Sequence, residues 1–313
     1  MTPSRRRIVL STGLTLVAVL VVWLWVRAFG VTIADVERTA QSIRWHWLPA
    51  IFALLAGHVA VSALRWAYIE EALGAPKPAF RTGFNSGAIA MGLGTVLPAP
   101  IMNVAARSLA NKLAGTSATR GALSGTLDQI CDLAICLWMA IPAALALLIL
   151  DPEWFWVLSA LATAIGALCL FPIAQARAIL ARIAPGRDKR WVALLLSRET
   201  LLRLYVLSLL RFANLVAVAI LVSLSAGGAP ALALAIAVPI VAVANALVML
   251  PGAIGVSEWS FTVVLAQFGV DEPSVIAFVI ANRMILTALP MLLALAVIVA
   301  AAFGFVSRQR DPR

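Results

Sequence analysis

Residues 231–268 read ALALAIAVPIVAVANALVMLPGAIGVSEWSFTVVLAQF, an apolar stretch that is interrupted at Pro251-Gly252. A helix of about 20 apolar residues crosses a hydrocarbon core of roughly 30 Å, so this stretch is long enough to enter a membrane. Proline removes a backbone donor and clashes with the preceding helical turn. In lipid, the backbone groups freed by such a break are tolerated only inside protein or beside a watery cavity. The stretch therefore predicts a broken, re-entrant hairpin, with a kinked helix as the alternative.

A second stretch of the same kind occupies residues 84–113, where an apolar run is broken at Leu97-Pro98-Ala99-Pro100. Uninterrupted apolar runs predict about six full transmembrane helices, at residues 8–26, 47–67, 123–150, 154–171, 201–223 and 275–303. We therefore predict an all-α polytopic integral membrane protein, in which residues 1–313 form a single transmembrane domain with six crossings and two broken hairpins.

The composition supports a membrane protein and excludes a soluble one. Hydrophobic residues make up 63% of the chain and charged residues 12%, with a mean hydropathy of +1.00. A soluble domain is roughly 45–50% apolar and about 25% charged. The net charge of +10 comes mainly from basic residues beside the apolar runs, where they meet anionic lipids. We expect anionic membrane lipids as partners, and no nucleic acid, cofactor or metal.

The basic residues also predict the topology. With the N-terminus inside, most of the 24 lysines and arginines fall on the cytoplasmic side, as the positive-inside rule requires. Only Arg27, Arg38 and Arg44 fall outside, and Arg211 and Arg283 lie within spans. Both termini are expected in the cytoplasm. The basic loop of residues 174–200 is expected on the cytoplasmic surface, either as interfacial helices or as a plain loop.

The two halves of the chain contain similar motifs in the same order. Leu97-Pro98 corresponds to Leu250-Pro251, and Gly115-Thr116 corresponds to Gly269-Val270. In the predicted topology the first hairpin enters from inside and the second from outside. This pattern suggests an inverted repeat, the arrangement in which many transporters place a substrate site between their halves.

Charged and amide side chains within the predicted helices form the candidate site. Each ionisable group at membrane depth costs at least about 2.5–3.5 kcal/mol on insertion scales, so its presence there needs a structural or functional reason. One interpretation is a set of structural ion pairs. The other is a polar cavity in which the arginines bind an anionic head group while the acids pair with them or carry a coupling proton. The candidates are Asp128, Asp132, Arg211, Asn214, Glu258, Asn282 and Arg283.

The residues at the two breaks are expected to act as gates. A half-helix that begins at a break presents unpaired N–H groups, which suit an anion. His46 and His58 lack metal-ligand spacing, and we expect both to be packed or interfacial. The gating candidates are Pro98, Pro100, Pro251, Gly252 and Gly255.

The second half of the chain resembles a known family. Its pattern Pro251-Gly252-x-x-Gly255-x-x-Glu258, the turn Gly269-Val270 and then Arg283 resemble the flippase-like membrane portion of lysylphosphatidylglycerol synthases (multiple peptide resistance factor) and their stand-alone homologues. The resemblance extends from about residue 47 to residue 303. It implies movement of a lipid or lipid-linked sugar across the bacterial inner membrane. Lysyl transfer is not implied, because it belongs to a separate soluble domain that we expect this chain to lack.

The first half departs from the family pattern at two places. The Gly-Glu pair that usually follows the first break is replaced by Met102-Asn103, and an arginine of the next helix is replaced by Gln129. We therefore expect a substrate or coupling that differs from that of the aminoacylated-lipid flippases.

The lead hypothesis is a non-enzymatic translocase whose substrate is a phospholipid or a polyprenyl-linked lipid. One alternative is a membrane enzyme acting on polyprenyl or phospholipid carriers through interfacial acids such as Asp35 and Glu37, although no catalytic motif is found. A small-solute secondary transporter is the other alternative. Lipid identity, direction, energy coupling and a homo-oligomeric state are left open.

Overall fold

The computed structural model describes residues 30–183, 197–248 and 250–309, together with Leu20, Trp23, Leu24, Val26 and Arg27. Most of the predicted first helix at residues 8–26 lies outside the described residues. Residues 184–196, which form the centre of the predicted basic loop, lie outside them as well.

The described residues are mainly helical and contain no strand, which confirms the predicted all-α fold. Short 3-10 turns occur at Trp45–Trp47 and Pro251–Ala253. The α-helices, numbered here in chain order, are α1 (Ile33–Ser42), α2 (Leu48–Ala72), α3 (Phe80–Leu93), α4 (Ala99–Leu113), α5 (Ala118–Leu148), α6 (Trp154–Ile183), α7 (Arg198–Ala226), α8 (Ala231–Val248), α9 (Val256–Gln267) and α10 (Glu272–Gln309).

Six of the described helices, α2, α5, α6, α7, α8 and α10, are long and apolar enough to cross a membrane. Six transmembrane helices were also predicted, but the two sets differ. The described set includes α8 and lacks the predicted helix at residues 8–26, most of which lies outside the described residues. Helix α8, the first arm of the second broken segment, has 18 residues and reaches about 27 Å at 1.5 Å per residue. It is therefore long enough to cross by itself, whereas the 12-residue α9 is not.

Both broken segments are pairs of helices that pack against each other, α3 with α4 and α8 with α9. Pro98 caps the N-terminus of α4 and Pro100 lies in its first turn, where a missing N–H removes no helical hydrogen bond. In the second break, Gly252 and Gly255 have φ angles of 58° and 85°. These left-handed conformations favour glycine, which explains why the chain turns at these two positions.

The helices are held together by close packing around a core on α2, α7, α8, α9 and α10. Its fully buried members include Ile51, Val222, Leu234, Leu265 and Phe278. Because lipid is as apolar as leucine, helices in a membrane associate largely through close contact at small residues. Gly92 of α3 is such a residue, since it lies directly against the backbone of α10 at Pro290.

We expect Gly92→Ala to lower stability by about 1–3 kcal/mol, the range typical of overpacking. A Cβ atom at this position would lie 2.5 Å from Cβ of Ala294 and 2.9 Å from the carbonyl oxygen of Pro290. Gly57→Ala is the matched control, because its Cβ would approach no atom closer than 3.6 Å. Thermal unfolding in detergent measures both. Equal melting temperatures for the two variants would contradict the close α3–α10 contact.

Candidate functional site

Charged side chains from four helices meet inside the bundle and form what we call the first charge cluster. Its members are Arg65 on α2, Arg107 on α4, Asp128 and Asp132 on α5, and Arg211 on α7. Residues four apart on a helix share one face, so the two aspartates project together from α5. The arginines approach this face from the neighbouring helices.

The two aspartates are shared by two arginines. Arg65 Nε lies 2.6 Å from Asp128 Oδ1, and Arg65 Nη1 lies 2.7 Å from Asp132 Oδ1. Arg211 Nη1 lies 2.5 Å from Asp132 Oδ2 and 3.8 Å from Asp128 Oδ2. Arg65 and Asp128 are fully buried, whereas Asp132 keeps 26% of its side-chain surface exposed. The exposed part of this cluster is therefore the Asp132–Arg211 pair.

Arg107 is fully buried and has no carboxylate within ion-pair distance among the described residues. Its guanidinium donates instead to the Gly83 carbonyl oxygen at 2.6 Å, Ser86 Oγ at 2.7 Å and Ser62 Oγ at 2.9 Å. It also lies over the Trp66 ring, 4.6 Å from the ring centroid, which is a favourable cation–π geometry.

Another buried acid, Glu70 of α2, follows Trp66 by four residues and so lies on the same face of the helix. It accepts hydrogen bonds from Asn111 Nδ2 at 2.8 Å and from the Ser124 hydroxyl. Ser124 Oγ in turn accepts from Trp66 Nε1 at 2.8 Å. A polar path therefore runs from Glu70 through Trp66 to Arg107.

The second charge cluster, Glu258 and Arg283, organises the second break. Glu258 Oε2 accepts from the Gly255 backbone N–H at 2.6 Å, so the acid caps the start of α9. Arg283 Nε lies 3.7 Å from Glu258 Oε1, and Arg283 Nη1 donates to the Gly252 carbonyl oxygen at 2.8 Å. One arginine on α10 thus holds both the broken backbone and the acid that caps the next helix.

The tips of the two broken segments touch each other. The Gly252 N–H donates to the Leu97 carbonyl oxygen at 3.3 Å, and a Cβ atom at Gly252 would collide with the Thr95 carbonyl oxygen. Gly252 is therefore confined by its positive φ and by the opposite hairpin.

The two charge clusters line adjoining cavities, which we call together the central cavity. Their volumes are about 190, 300 and 360 Å³, and His58 lines all three. Asp132 and Arg211 lie on one side, and Glu258 and Arg283 lie on the other. Between them lie neutral polar side chains, namely Thr95, Gln129, Asn214, Asn245, Ser257, Asn282 and Thr287.

An apolar groove of about 530 Å³ adjoins the central cavity. It is lined by α4 and α5, with Ala246 from α8, and its wall includes Ile101 and Ile130, which are each more than half exposed. The groove and the central cavity share four lining residues, Pro100, Gln129, Leu133 and Ala246. An apolar surface groove therefore leads into a polar interior at Gln129.

The structure brings six of the seven candidate site residues to the central cavity: Asp132, Arg211, Asn214, Glu258, Asn282 and Arg283. The seventh, Asp128, lies fully buried behind Asp132 and Arg211. Of the gating candidates, Pro100 and Gly252 line the cavity, whereas Pro98 and Gly255 cap the helices that follow the breaks. The backbone of Pro251 begins the 3-10 turn.

Sequence reasoning missed four contributors. Arg65 and Arg107 were counted with the charges on the cytoplasmic side and not among the candidate site residues, and the structure shows both fully buried. The expectation that His58 is merely packed is incomplete, because its Nε2 lies 2.8 Å from Arg211 Nη2. Asn103, one of the departures from the family pattern, donates to Asp128 Oδ2 at 3.2 Å. The available signal was the position of Arg65 within the predicted transmembrane helix of residues 47–67.

The fold and the site define a polytopic helical membrane protein whose charged cavity lies between two broken hairpins. The family model described as the lysylphosphatidylglycerol synthase TM region matches residues 6–308. The chain therefore belongs to this family, as its motifs indicated. No curated protein and no solved structure matches the chain.

Removing one buried acid tests whether the first charge cluster holds the helices together. We expect Asp128→Asn to lower the free energy of unfolding by about 3–5 kcal/mol, because it breaks a buried ion pair and leaves Arg65 undercompensated. Glu199→Gln is the control, since the Glu199–Arg203 pair is exposed and exposed pairs contribute about 1 kcal/mol or less. Chemical unfolding in detergent is the measurement. A loss as small as that of the control would show that the cluster is not structural.

Proposed function

We propose that this protein is a lipid translocase of the bacterial cytoplasmic membrane, which moves a phospholipid or a polyprenyl-linked lipid, including lipid-linked saccharides, between the leaflets. The observation that carries the proposal is the junction of the polar central cavity with the apolar groove at Pro100 and Gln129. An amphiphile needs both surfaces at once, since its head group must stay hydrogen-bonded while its chains stay in apolar surroundings. The family, described by the membrane region of a lipid synthase, supports lipid handling.

The contact between the hairpin tips is the proposed gate. The Gly252 N–H donates to the Leu97 carbonyl oxygen of the other broken segment. Arg283 donates to the Gly252 carbonyl oxygen and lies within ion-pair distance of Glu258. Separating the tips would open the cavity on one side while the packed arms keep the other side closed. Small movements at two helix breaks would then expose the head group to alternate leaflets.

Both cavity arginines already have carboxylate partners. A head group with negative charge would therefore bind Arg211 or Arg283 only by displacing Asp132 or Glu258. A head group without net charge would leave both ion pairs intact, with Asp128 and Arg65 paired behind them.

Two further features favour translocation over the alternatives. Asp35, a candidate base for a membrane enzyme, forms a capping box with Thr32 at the start of α1, and the hydrogen bonds from Thr32 lower the pKa of Asp35. A lowered pKa makes the carboxylate a weaker base. A small-solute transporter has no need of the apolar groove. The charge distribution in the sequence favours cytoplasmic termini for either kind of transporter.

Reconstitution tests the function directly. Purified protein is placed in liposomes that carry a trace of tail-labelled fluorescent phospholipid, and a membrane-impermeant reductant is added outside. In protein-free liposomes only the outer leaflet is bleached. We expect the protein to carry the inner-leaflet fluorophore to the outer leaflet, so that the reductant bleaches it as well. The assay is run once with a proton gradient and once without. Folded protein that leaves inner-leaflet fluorescence intact for phospholipids and for a lipid-linked saccharide would overturn the proposal.

Gly252→Ala tests the gate in the same assay. A Cβ at Gly252 would collide with the Thr95 carbonyl oxygen, so we expect lipid transfer to fall at least about tenfold, which corresponds to roughly 1.4 kcal/mol in a barrier. The matched control is Gly269→Ala, which has a similar positive φ of 67° but nothing within 4 Å of its Cβ. Both variants share backbone strain, and only Gly252→Ala alters the tip contact. Equal transfer rates would exclude the contact as a gate.

A further inference from the structure

The charges of the central cavity compensate each other completely. Asp132 pairs with Arg211 and Glu258 pairs with Arg283, so the four charged side chains that line the cavity sum to zero. The fully buried groups behind them also balance, since Arg65 and Arg107 are matched by Asp128 and Glu70. Bringing a net charge into this interior without a counter-charge carries a desolvation penalty of several kcal/mol. The cavity is therefore suited to a head group with no net charge.

Neutral hydrogen-bonding side chains also line the central cavity. Carboxamides and hydroxyls each donate and accept, which is the same dual capacity that an alcohol group has. The side chains come from both hairpins and from α5, α7 and α10. They are Thr95, Gln129, Asn214, Asn245, Ser257, Asn282 and Thr287.

Two of these amides have acceptors that are not used within the protein. The Oδ1 atoms of Asn214 and Asn282 are buried and accept no hydrogen bond from any described residue. Both residues line the 300 Å³ cavity, Asn214 from α7 and Asn282 from α10. A buried acceptor without a partner costs about 1–3 kcal/mol, so these oxygens need an O–H or N–H donor, which water or a ligand's hydroxyl group can supply. An ionised phosphate offers only acceptors and cannot supply one.

We propose that the head group recognised in the central cavity is uncharged and hydroxyl-rich, a sugar or polyol carried on a lipid. This inference rests on the proposed translocase function and names its substrate class. Hydroxyls donate to the Asn214 and Asn282 oxygens and accept from neighbouring amides, while the two ion pairs stay intact. The lipid chain lies in the apolar groove that meets the cavity at Gln129.

Equilibrium binding tests the head-group class without relying on transport. Protein in an uncharged polyoxyethylene detergent is titrated into two tail-labelled probes with identical chains, a glucosyl diacylglycerol and a phosphatidylglycerol, and fluorescence anisotropy is recorded. We expect the glucosyl lipid to bind at least tenfold more tightly. Equal or tighter binding of phosphatidylglycerol, or no binding of the glucosyl lipid, would overturn the inference.

Amide variants locate the binding to the cavity. Asn214→Ala and Asn282→Ala are each expected to weaken glucosyl-lipid binding about fivefold or more while leaving the weak phosphatidylglycerol binding unchanged. Gln267→Ala removes an exposed amide at the end of α9 and is the control, for which unchanged affinity is expected. Unchanged glucosyl-lipid affinity in both asparagine variants would overturn the assignment of the site.

Two further arms separate this inference from the proposed function. Methyl glucoside, the same sugar without a chain, is expected to compete at least a hundredfold more weakly than the glucosyl lipid. Equal competition would show a site for a free solute and overturn the lipid part. In liposomes, rapid transfer of phosphatidylglycerol but not of the glucosyl lipid would refute the head-group class and keep the translocase. Tight binding of the glucosyl lipid with no transfer of any lipid would refute the translocase and keep the head-group class.

Discussion

Two breaks in the helical backbone must satisfy their freed polar groups inside an apolar bundle, and they do so largely through each other. The Gly252 N–H reaches the Leu97 carbonyl oxygen of the opposite hairpin, and the Gly252 carbonyl oxygen is held by Arg283. Glu258 then satisfies the Gly255 N–H and lies beside the same arginine. Since irregular backbone at membrane depth survives only in protein or beside water, these contacts determine where a cavity can form.

The buried charged side chains also satisfy one another, as ion pairs between helices. Arg65 bridges both aspartates of α5, and Arg211 reaches the same pair from α7, so three helices are fixed relative to one another. Within the first charge cluster, the Asp132–Arg211 pair is the part that faces the central cavity. The fully buried groups therefore support the Asp132–Arg211 pair from behind. The buried groups fix the positions of the polar side chains that the head group of a ligand would contact. The apolar part of the ligand would lie in the groove along α4 and α5.

Apolar run length and proline position were sufficient to predict the helical membrane fold and the location of both breaks. The candidate charges were found because ionisable groups are rare within apolar runs. Arg65 and Arg107 were not among the candidate site residues, because each lies near the end of its apolar run, where an arginine normally faces lipid head groups. Only the packing of α2, α4 and α5 shows that both turn inward. The groove was beyond prediction as well, because it depends on the tertiary arrangement of α4, α5 and α8. The length of α8, which is sufficient for a membrane crossing, was overlooked because its 18 residues were treated as one arm of a hairpin.

The central claim is that the tip contact opens and closes during lipid transfer. Its most direct test places cysteines at Thr95 and Ala253, beside the Gly252–Leu97 contact, after Cys131, Cys136 and Cys169 are replaced by alanine. A short, reducible bifunctional thiol reagent then joins the two tips in reconstituted protein. The account predicts that cross-linking reduces lipid transfer to the protein-free rate and that reduction of the linker restores it, whereas single-cysteine variants treated alike keep their activity. Undiminished transfer through quantitatively cross-linked protein would contradict it.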